Sequence, residues 1–493
     1  MPSSLRRGVL TALLLSLAGC HVAPRIPLSE PRPRIPANWP TQTKVVRPAA
    51  NTAPRTSATR LYWHQFYRNT ELQSLIRSAL RNNRDMRLAV LHVQEARAAH
   101  SLQVSDGFPS MAMGGSFARS HVPGDLNITR RPQTSGNHEV SVGLNSWELD
   151  FWGRVRNLNE AALYNYLATE AGQQATQTSL IHQVARNYLA LRGLDTRIDL
   201  AKKSIASREE SLRIFKRRVE VGSASRYALA QAQTLLHQAQ VMGSQLEQQR
   251  SIQANALELL TGVPAPMPAS IDLALAIQDL PEGLPADLIV NRPDITSAEY
   301  ALKASQANVE AARAAFLPRI TLIGRTGTAS EQFSGLFKSG SSAWQFVPSI
   351  SVPIFDNGAL RANLDVQAVR QNIAVAQYEK QIETALREVH DALASRTLLN
   401  EQVDVLQRQY DSLMERRRLA GLRFDSGASP YFDVLDAERE LLTAEQQLAQ
   451  GREHAVSAQV DLYAALGGGA PRISRTPFAR KAAPTSTLPQ HSP

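Results

Sequence analysis

The chain has 493 residues, one cysteine and a formal net charge of +10 at pH 7. A single cysteine excludes an intrachain disulfide and a cysteine metal cluster. The charge comes from the two ends: residues 1–60 contain nine Lys/Arg and one Glu, and residues 471–493 contain four basic and no acidic residues. Subtracting +8 and +4 from +10 leaves −2 for residues 61–470, so the basic balance does not indicate nucleic-acid binding.

The first 19 residues form a predicted signal peptide. Two arginines precede an apolar run over residues 9–18, which is too short to span a membrane and is typical of a secretory signal. The ending Leu-Ala-Gly-Cys at Cys20 resembles the bacterial lipoprotein box, in which the cysteine becomes the acylated first residue. Cys20 is therefore the predicted lipidation site, with an N-palmitoyl and an S-diacylglycerol group as anchor. His21, in place of Asp, points to the outer membrane.

Three other segments are rich in proline and lack apolar periodicity. Residues 20–60 are predicted to be an extended tether. Residues 263–285 are predicted to link two folded units. Residues 468–493 are predicted to be a disordered tail.

The remaining chain reads as two copies of one unit, at residues 61–262 and 286–467. Gly153 and Gly222 are 69 residues apart, and so are Gly358 and Gly427. The second pair lies 205 residues after the first. Such fixed spacing indicates an internal repeat. The same offset relates Gly262 to Gly467.

Each unit contains one very long helix between its two bounding glycines, where no proline occurs. At 1.5 Å per residue such a helix is about 100 Å long. In the second copy, apolar residues recur every seven positions in two series. These series correspond to the a and d positions of a heptad repeat, which form the seam of a coiled coil. The series are Leu399, Leu406, Leu413 and Ala420, and Val403, Tyr410 and Phe424, with Arg417 as the one break.

A shorter helix and a pair of strands precede each long helix. The first helix is predicted over about 70–105, and the strand pairs over about 109–150 and about 318–354. The return strands alternate apolar residues with small or polar ones, which is typical of a membrane β-barrel and equally of a soluble sandwich. The apolar members are Val140, Val142 and Leu144 in the first copy and Ile350, Val352 and Ile354 in the second.

The number of strands predicts the oligomeric state. Four strands per chain cannot close a barrel, and open edges are not tolerated in lipid. Two chains give about eight strands, whose interior fills with side chains, whereas three give about twelve and an open lumen. We therefore expect a homotrimer with a mainly α fold, in which the long helices form a coiled-coil barrel on a 12-stranded membrane β-barrel. The mature chain has no long apolar segment, which excludes a helical membrane protein.

Several motifs carry a resemblance to a known family. They lie at residues 17–20, 79–85, 148–154, 292–295, 311–318, 353–358, 433–439 and 462–469. With them the chain resembles the TolC family of outer-membrane efflux channels, in the lipoprotein branch that serves tripartite RND pumps. The resemblance extends over nearly all of residues 10–467. It is strongest to copper/silver and multidrug efflux channels, which suggests metal ions or drugs as cargo.

The resemblance also implies a location and partners. The barrel would lie in outer-membrane lipid, and the helical tube would cross the periplasm. The hairpin turns would form a tip that meets a periplasmic adaptor protein and an inner-membrane RND transporter. The implied tip residues are Gly222, Ser223, Gly427 and Ala428.

The family's constriction ring maps onto Asp433 and Asp436, one helical turn apart. In a trimer, six carboxylates would repel one another and attract cations. The alternative is that both are N-terminal helix charges favoured by the dipole. The first copy has Ala228 and Gln231 there, so only the second hairpin would contribute. Some relatives lock the closed tip with a tyrosine and an arginine, for which this chain has Phe424 and Ser429.

No nucleophile motif, phosphate loop or pair of catalytic carboxylates is present in the sequence, so we expect neither an enzyme nor a cofactor or metal site. Met111 and Met113 are candidate soft-metal ligands, with barrel packing as the alternative. Two other functions stay open. One is a structural or adaptor lipoprotein without a pore, and the other is a type I protein-secretion conduit.

Overall fold

The computed structural model describes residues 28, 30, 31, 61–278 and 292–469. The predicted signal, Cys20 and the predicted tail beyond residue 469 lie outside the described residues, as do most of the tether and the end of the linker. The predicted fold class, mainly helical with four strands, is confirmed.

Corresponding elements occur in the two halves of the chain. The first half contains α1 (Trp63–Phe66), α2 (Thr70–Asn82), α3 (Arg84–Ser105), β1 (Met111–Val122), β2 (Gln133–Glu148), α4 (Arg154–Glu220) and α5 (Arg226–Thr261). The second half contains α6 (Pro293–Ala314), β3 (Arg319–Ser330), β4 (Ser342–Ser351), α7 (Ala359–Asp425) and α8 (Tyr431–Ala465).

The long helices α4 and α7 each have 67 residues. All seven predicted seam positions of α7 are partly buried, while Arg417, the break in the pattern, is exposed. The seam packs against α8, so α7 and α8 form one helical hairpin and α4 and α5 form the other. Most of the stability of these helices comes from such packing, because isolated helices are marginal in water.

The predicted single helix over 70–105 is interrupted at Asn83. This residue has an extended backbone (φ −62°, ψ 134°) and caps α3, because its side chain accepts hydrogen bonds from the Asp85 and Met86 backbone N–H groups. Its amide also donates to the Leu260 carbonyl at 3.1 Å, which ties the break to the end of α5. Asparagine favours caps over helix interiors, and this preference outweighs the helical periodicity around it.

The four strands form one antiparallel sheet in the order β1-β2-β3-β4. The register places the side chains of the sheet on two chemically different faces. We call the first the apolar face, which carries Met111, Met113, Phe117, Val140, Val142, Leu144, Leu322, Trp344, Phe346 and Ile350. We call the second the polar face, which carries Ser116, Glu139, Ser141, Gly143, Arg325, Gly327, Gln345 and Ser349.

Helix packing follows the same lateral order as the strands. Next to the sheet, the order across the chain is α3, α4, α6, α7, and towards the hairpin turns it is α5, α4, α8, α7. One lateral side of the protomer therefore carries β1, α3 and α5. The opposite side carries β4 and α7.

The largest hydrophobic core lies where α2, the middle of α4 and the ends of α5 and α8 meet. Phe66 stacks on Tyr463 at 4.0 Å between ring centroids, and the Tyr463 hydroxyl donates to the Leu61 carbonyl at 2.7 Å. This core fixes the short elements at the start of the folded region against the last helix.

Candidate functional site

The two hairpin turns end α4 and α7 with the same backbone geometry. Gly222 and Gly427 have φ of 75° and 74°, a left-handed conformation that glycine adopts without a steric penalty. The Ser223 and Ala428 N–H groups each donate, at 2.8 Å, to the carbonyl of the residue five positions earlier. This is the Schellman arrangement, which satisfies the last helical carbonyls. All four predicted tip residues are exposed.

Asp433 and Asp436 lie on the first two turns of α8, but their surroundings differ. Asp436 is only 19% exposed at its side chain and accepts a 2.7 Å ion pair from Arg416 of α7. Arg439 binds its other oxygen. Asp433 lines a surface groove with Ser412 and Arg416. Within the described residues, it has no ion pair of its own.

The basic run at residues 416–418 forms ion pairs that the sequence did not indicate. Arg416 contacts both Asp436 and Glu440 on α8. Arg417 contacts another residue of α8, Glu438, at 3.3 Å. These contacts cross the α7–α8 hairpin, so the run does more than complement the negative end of the α7 dipole. No spacing rule links positions about 20 residues apart, so only the hairpin geometry reveals them.

An aromatic cluster joins the two hairpins close to their turns. Tyr431 at the start of α8 lies 4.5 Å from the Phe215 ring of α4 and 4.8 Å from the Phe424 ring of α7. The Arg218 guanidinium lies 5.3 Å from the Phe424 centroid, in cation–π geometry. The Tyr431 hydroxyl contacts Ser211 at 3.2 Å, and burial raises the pKa of Tyr431. Phe424 thus has a role other than the tyrosine–arginine lock of some relatives.

The candidate metal ligands lie at the exposed surface of the sheet. Met111 and Met113 lie on the apolar face of the sheet and are 71% and 78% exposed. His182 is hydrogen-bonded to Asp461 at 2.8 Å. No cluster of three or more His, Cys, Asp or Glu residues with metal-binding geometry exists in the described part of the chain.

None of the helices in the described ranges has the length and apolarity needed to cross a bilayer.

Comparisons with known proteins agree with this architecture. The chain is 41% identical over 472 residues to the toluene efflux pump outer membrane protein TtgF of Pseudomonas putida, covering 95% of this chain and 98% of that protein. It is 37% identical to the antibiotic efflux pump outer membrane protein ArpC of Pseudomonas putida, covering 95% and 96%. The open-state structure of the Neisseria gonorrhoeae MtrE outer membrane channel superposes with a TM-score of 0.80 at 35% identity, covering 92% of this chain and 99% of that one.

The family model for the outer membrane efflux protein matches twice, at residues 75–263 and 284–468. These two matches together cover most of the chain. With paired helical hairpins, a four-stranded sheet of two unlike faces and relatives that align over nearly their whole length, the chain belongs to the outer membrane efflux protein family.

Proposed function

We propose that this chain is the outer-membrane channel of a tripartite efflux pump. Three copies would form a passive exit duct through the periplasm and the outer membrane. A periplasmic adaptor and an inner-membrane RND transporter would complete the pump and supply its energy. The observation that carries the proposal is the pair of open edges on the four-stranded sheet, at β1 and β4.

Open strand edges require a partner in lipid, because unpaired backbone groups are costly there. The natural partner for β4 is β1 of the next copy, since a head-to-tail contact between unlike surfaces closes as a ring. The lateral order of the helices supports the same contact, because α7 shares its side with β4 and α3 shares its side with β1. Three copies give twelve strands and an open lumen.

Apolar stripes on the free sides of α3 and α7 support this ring. Each stripe lies opposite the packed side of its helix, and its members are about half exposed or more in the single chain. Helical spacing places the three members of each stripe on one face. The stripes are Leu88, Leu91 and Leu102 on α3, and Val366, Val369 and Ile373 on α7.

The chemical difference between the two faces of the sheet favours a pore-forming protein. A structural lipoprotein without a pore would not need this difference. Residues of the apolar face suit contact with lipid tails, and residues of the polar face suit a water-filled lumen. An added Cβ on Gly143 or Gly327 of the polar face would lie 2.1 Å from a carbonyl oxygen of the next strand. This crowding is expected on the inner, concave side of a curved sheet.

The proposed cargo is small organic molecules, by analogy with relatives named for toluene and antibiotic efflux. Metal-ion cargo receives no support from Met111 and Met113, because they lie on the face proposed to contact lipid. Lipidation of Cys20 is part of the proposal and would hold the chain at the outer membrane.

The proposed constriction consists of Asp433 and Asp436, with Arg416 holding Asp436 inside each copy. The turns at Gly222, Ser223, Gly427 and Ala428 are the proposed adaptor contact, because they are the exposed ends of both hairpins. Carboxylates at a constriction favour cations.

The test is single-channel conductance of the purified protein in planar bilayers, with its oligomeric state from native mass spectrometry. We expect trimers with small, cation-selective currents. The Asp433→Ala/Asp436→Ala variant should conduct more and select less. If trimers form but neither protein conducts, the channel proposal is wrong and a structural role replaces it.

A further inference from the structure

Arg325 occupies the middle of β3 on the polar face of the sheet. It pairs with Gly143 of β2 and with Gln345 of β4, and Gly143 pairs in turn with Ala112 of β1. Arg325 is therefore the only charged residue in its row across the four strands. In a closed barrel of three copies, the three-fold axis would place the three Arg325 residues at one level around the lumen.

The neighbouring rows of the polar face are also uncharged. On one side the paired residues are Gly114, Ser141, Gly327 and Ala343. On the other side Ile323 pairs with Val347. The nearest acidic residue on this face towards the β1–β2 loop is Glu139, opposite Ala329. That row lies four residues from Arg325, about 14 Å along the strand, beyond the Debye length of about 8 Å at physiological salt.

The charges nearest the periplasmic end of the sheet form ion pairs with one another. Glu148 accepts two hydrogen bonds from Arg154, at 2.9 and 2.8 Å. Arg319 contacts the same carboxylate at 2.5 Å. Arg325 has no such partner: it is exposed, and no ion pair involves it within residues 61–278 and 292–469. At the other end the loops between strands carry charged groups: Asp125, Arg130 and Arg131 between β1 and β2, and Glu331 and Lys338 between β3 and β4.

Gly143 makes room for the Arg325 side chain. A Cβ on Gly143 would lie 2.6 Å from the Arg325 Cα and 3.0 Å from its Cγ, distances that real Cβ atoms do not tolerate or barely tolerate. The aliphatic stem of Arg325 therefore lies directly against glycine backbone. The guanidinium stays in solvent on the face that the pore proposal assigns to the lumen.

We infer that Arg325 forms an anion-attracting ring in the barrel lumen, which takes small anions and carboxylate- or phosphate-bearing solutes as ligands. Rings of Arg or Lys give pores this preference. The inference rests on the proposed trimeric pore. The barrel would then favour anions while the acidic tip favours cations, so the two ends of the duct would have opposite charge preference.

The test measures the reversal potential in a ten-fold KCl gradient, in the Asp433→Ala/Asp436→Ala background so that the acidic tip does not mask the barrel. We expect Arg325→Gln to lower the chloride-to-potassium permeability ratio about three-fold near 0.1 M salt, as estimated from three screened charges. Arg325→Lys should retain the ratio. The difference should vanish near 1 M salt, where the Debye length is about 3 Å.

Lys338→Gln is the matched control, because it removes one positive charge from the loop instead of the lumen row. The chloride-to-potassium permeability ratio of this control should equal that of the Asp433→Ala/Asp436→Ala background. The proposed arginine ring is wrong if the background conducts and Arg325→Gln leaves its permeability ratio unchanged. It is also wrong if Lys338→Gln lowers that ratio as much as Arg325→Gln does. If the background carries no current, the pore proposal itself is wrong.

Discussion

A buried charge network joins α2, α4 and α5 to the start of the linker. The Arg192 and Asp195 side chains are each only 2% exposed and lie 2.9 Å apart. Arg192 also binds Glu71 at 2.5 Å, and Arg250 binds the second Asp195 oxygen at 2.5 Å. Burial raises the pKa of Glu71, but hydrogen bonds from Arg192 and Tyr188 lower it more, so it lies below its ordinary value.

Because Asp195 is buried and pairs with both Arg192 and Arg250, Asp195→Asn should destabilise the helical domain by about 3–5 kcal/mol. The amide removes the negative charge that Arg192 and Arg250 share and leaves the buried Arg192 with the half-exposed Glu71 as its carboxylate partner. Asp199→Asn is the control on the same helix, since Asp199 forms a surface pair with Lys203 at 2.8 Å. That variant should lose less than about 1 kcal/mol. Urea unfolding followed by circular dichroism at 222 nm measures both, and equal losses would contradict the structural role of the network.

Individual polar contacts were the part of the molecule that the sequence predicted least well. Asp433 and Asp436 look equivalent in the sequence, one turn apart on one helix. Arg416 makes them different, because the hairpin brings it beside Asp436 from 20 residues away. The Arg192–Asp195 pair was missed as well, since an arginine and an aspartate three residues apart are usually a surface pair. Burial depends on tertiary packing, which no local pattern encodes.

The elements were predicted much better, for a physical reason. Glycines in a left-handed conformation bound both long helices, and uninterrupted sequence between them leaves few alternatives to a helix. The predicted seam of α7 matches its partly buried residues. The break at Asn83 was missed although adjacent asparagines at residues 82 and 83 were a signal for a cap. The continuing apolar spacing on both sides of Asn83 concealed it.

The two hairpins should move together because the aromatic cluster joins them near their turns. Phe215 is 4% exposed, so Phe215→Ala removes its contacts with Tyr431 and leaves a cavity. We expect the free energy of local opening at the tip to fall by about 1–3 kcal/mol, since such ring pairs contribute about 0.5–1.5 kcal/mol beyond their burial. Hydrogen exchange by mass spectrometry should show faster exchange over residues 205–220 and 420–435.

Tyr227→Ala is the control for this prediction, because Tyr227 lies at the same end of the molecule but is 73% exposed. Exchange at the tip should stay at the wild-type rate in that variant. Faster exchange confined to the α4–α5 hairpin in Phe215→Ala would contradict coupled motion, since α7 and α8 would then be independent of the cluster.

At the scale of the whole molecule, the single chain leaves strand edges unpaired and apolar helix surface exposed. Its sheet ends in two unpaired edges, and its helices expose apolar stripes on both lateral sides. These features are costly in isolation and become favourable only when the two sides meet. Counting strands in the sequence predicted that copies must associate. It could not predict which helices meet, because that depends on the lateral packing order.

The proposed ring pairs Leu91 of α3 with the region of Ile373 on α7 of the next copy. Leu91 lies 14 residues before the end of α3 at Ser105, and Ile373 lies 14 residues after the start of α7 at Ala359, so both are about 21 Å from the sheet end. Leu91→Glu should shift native mass spectra in mild detergent from trimer to monomer, because it buries an unpaired charge in the contact. Gln94→Glu, an exposed position off the stripe, should stay trimeric.

Combining Leu91→Glu with Ile373→Lys tests which surfaces meet. Ile373→Lys alone should also lower the fraction of trimer. Ile373 is 50% exposed in the single chain, and the proposed contact would bury it. In the double variant the glutamate of one copy faces the lysine of the next, so part of the trimer should return. Recovery requires unlike sides to touch, because a contact between like sides would place glutamate against glutamate. Two single variants that dissociate and a double variant with no recovery would therefore overturn the head-to-tail ring.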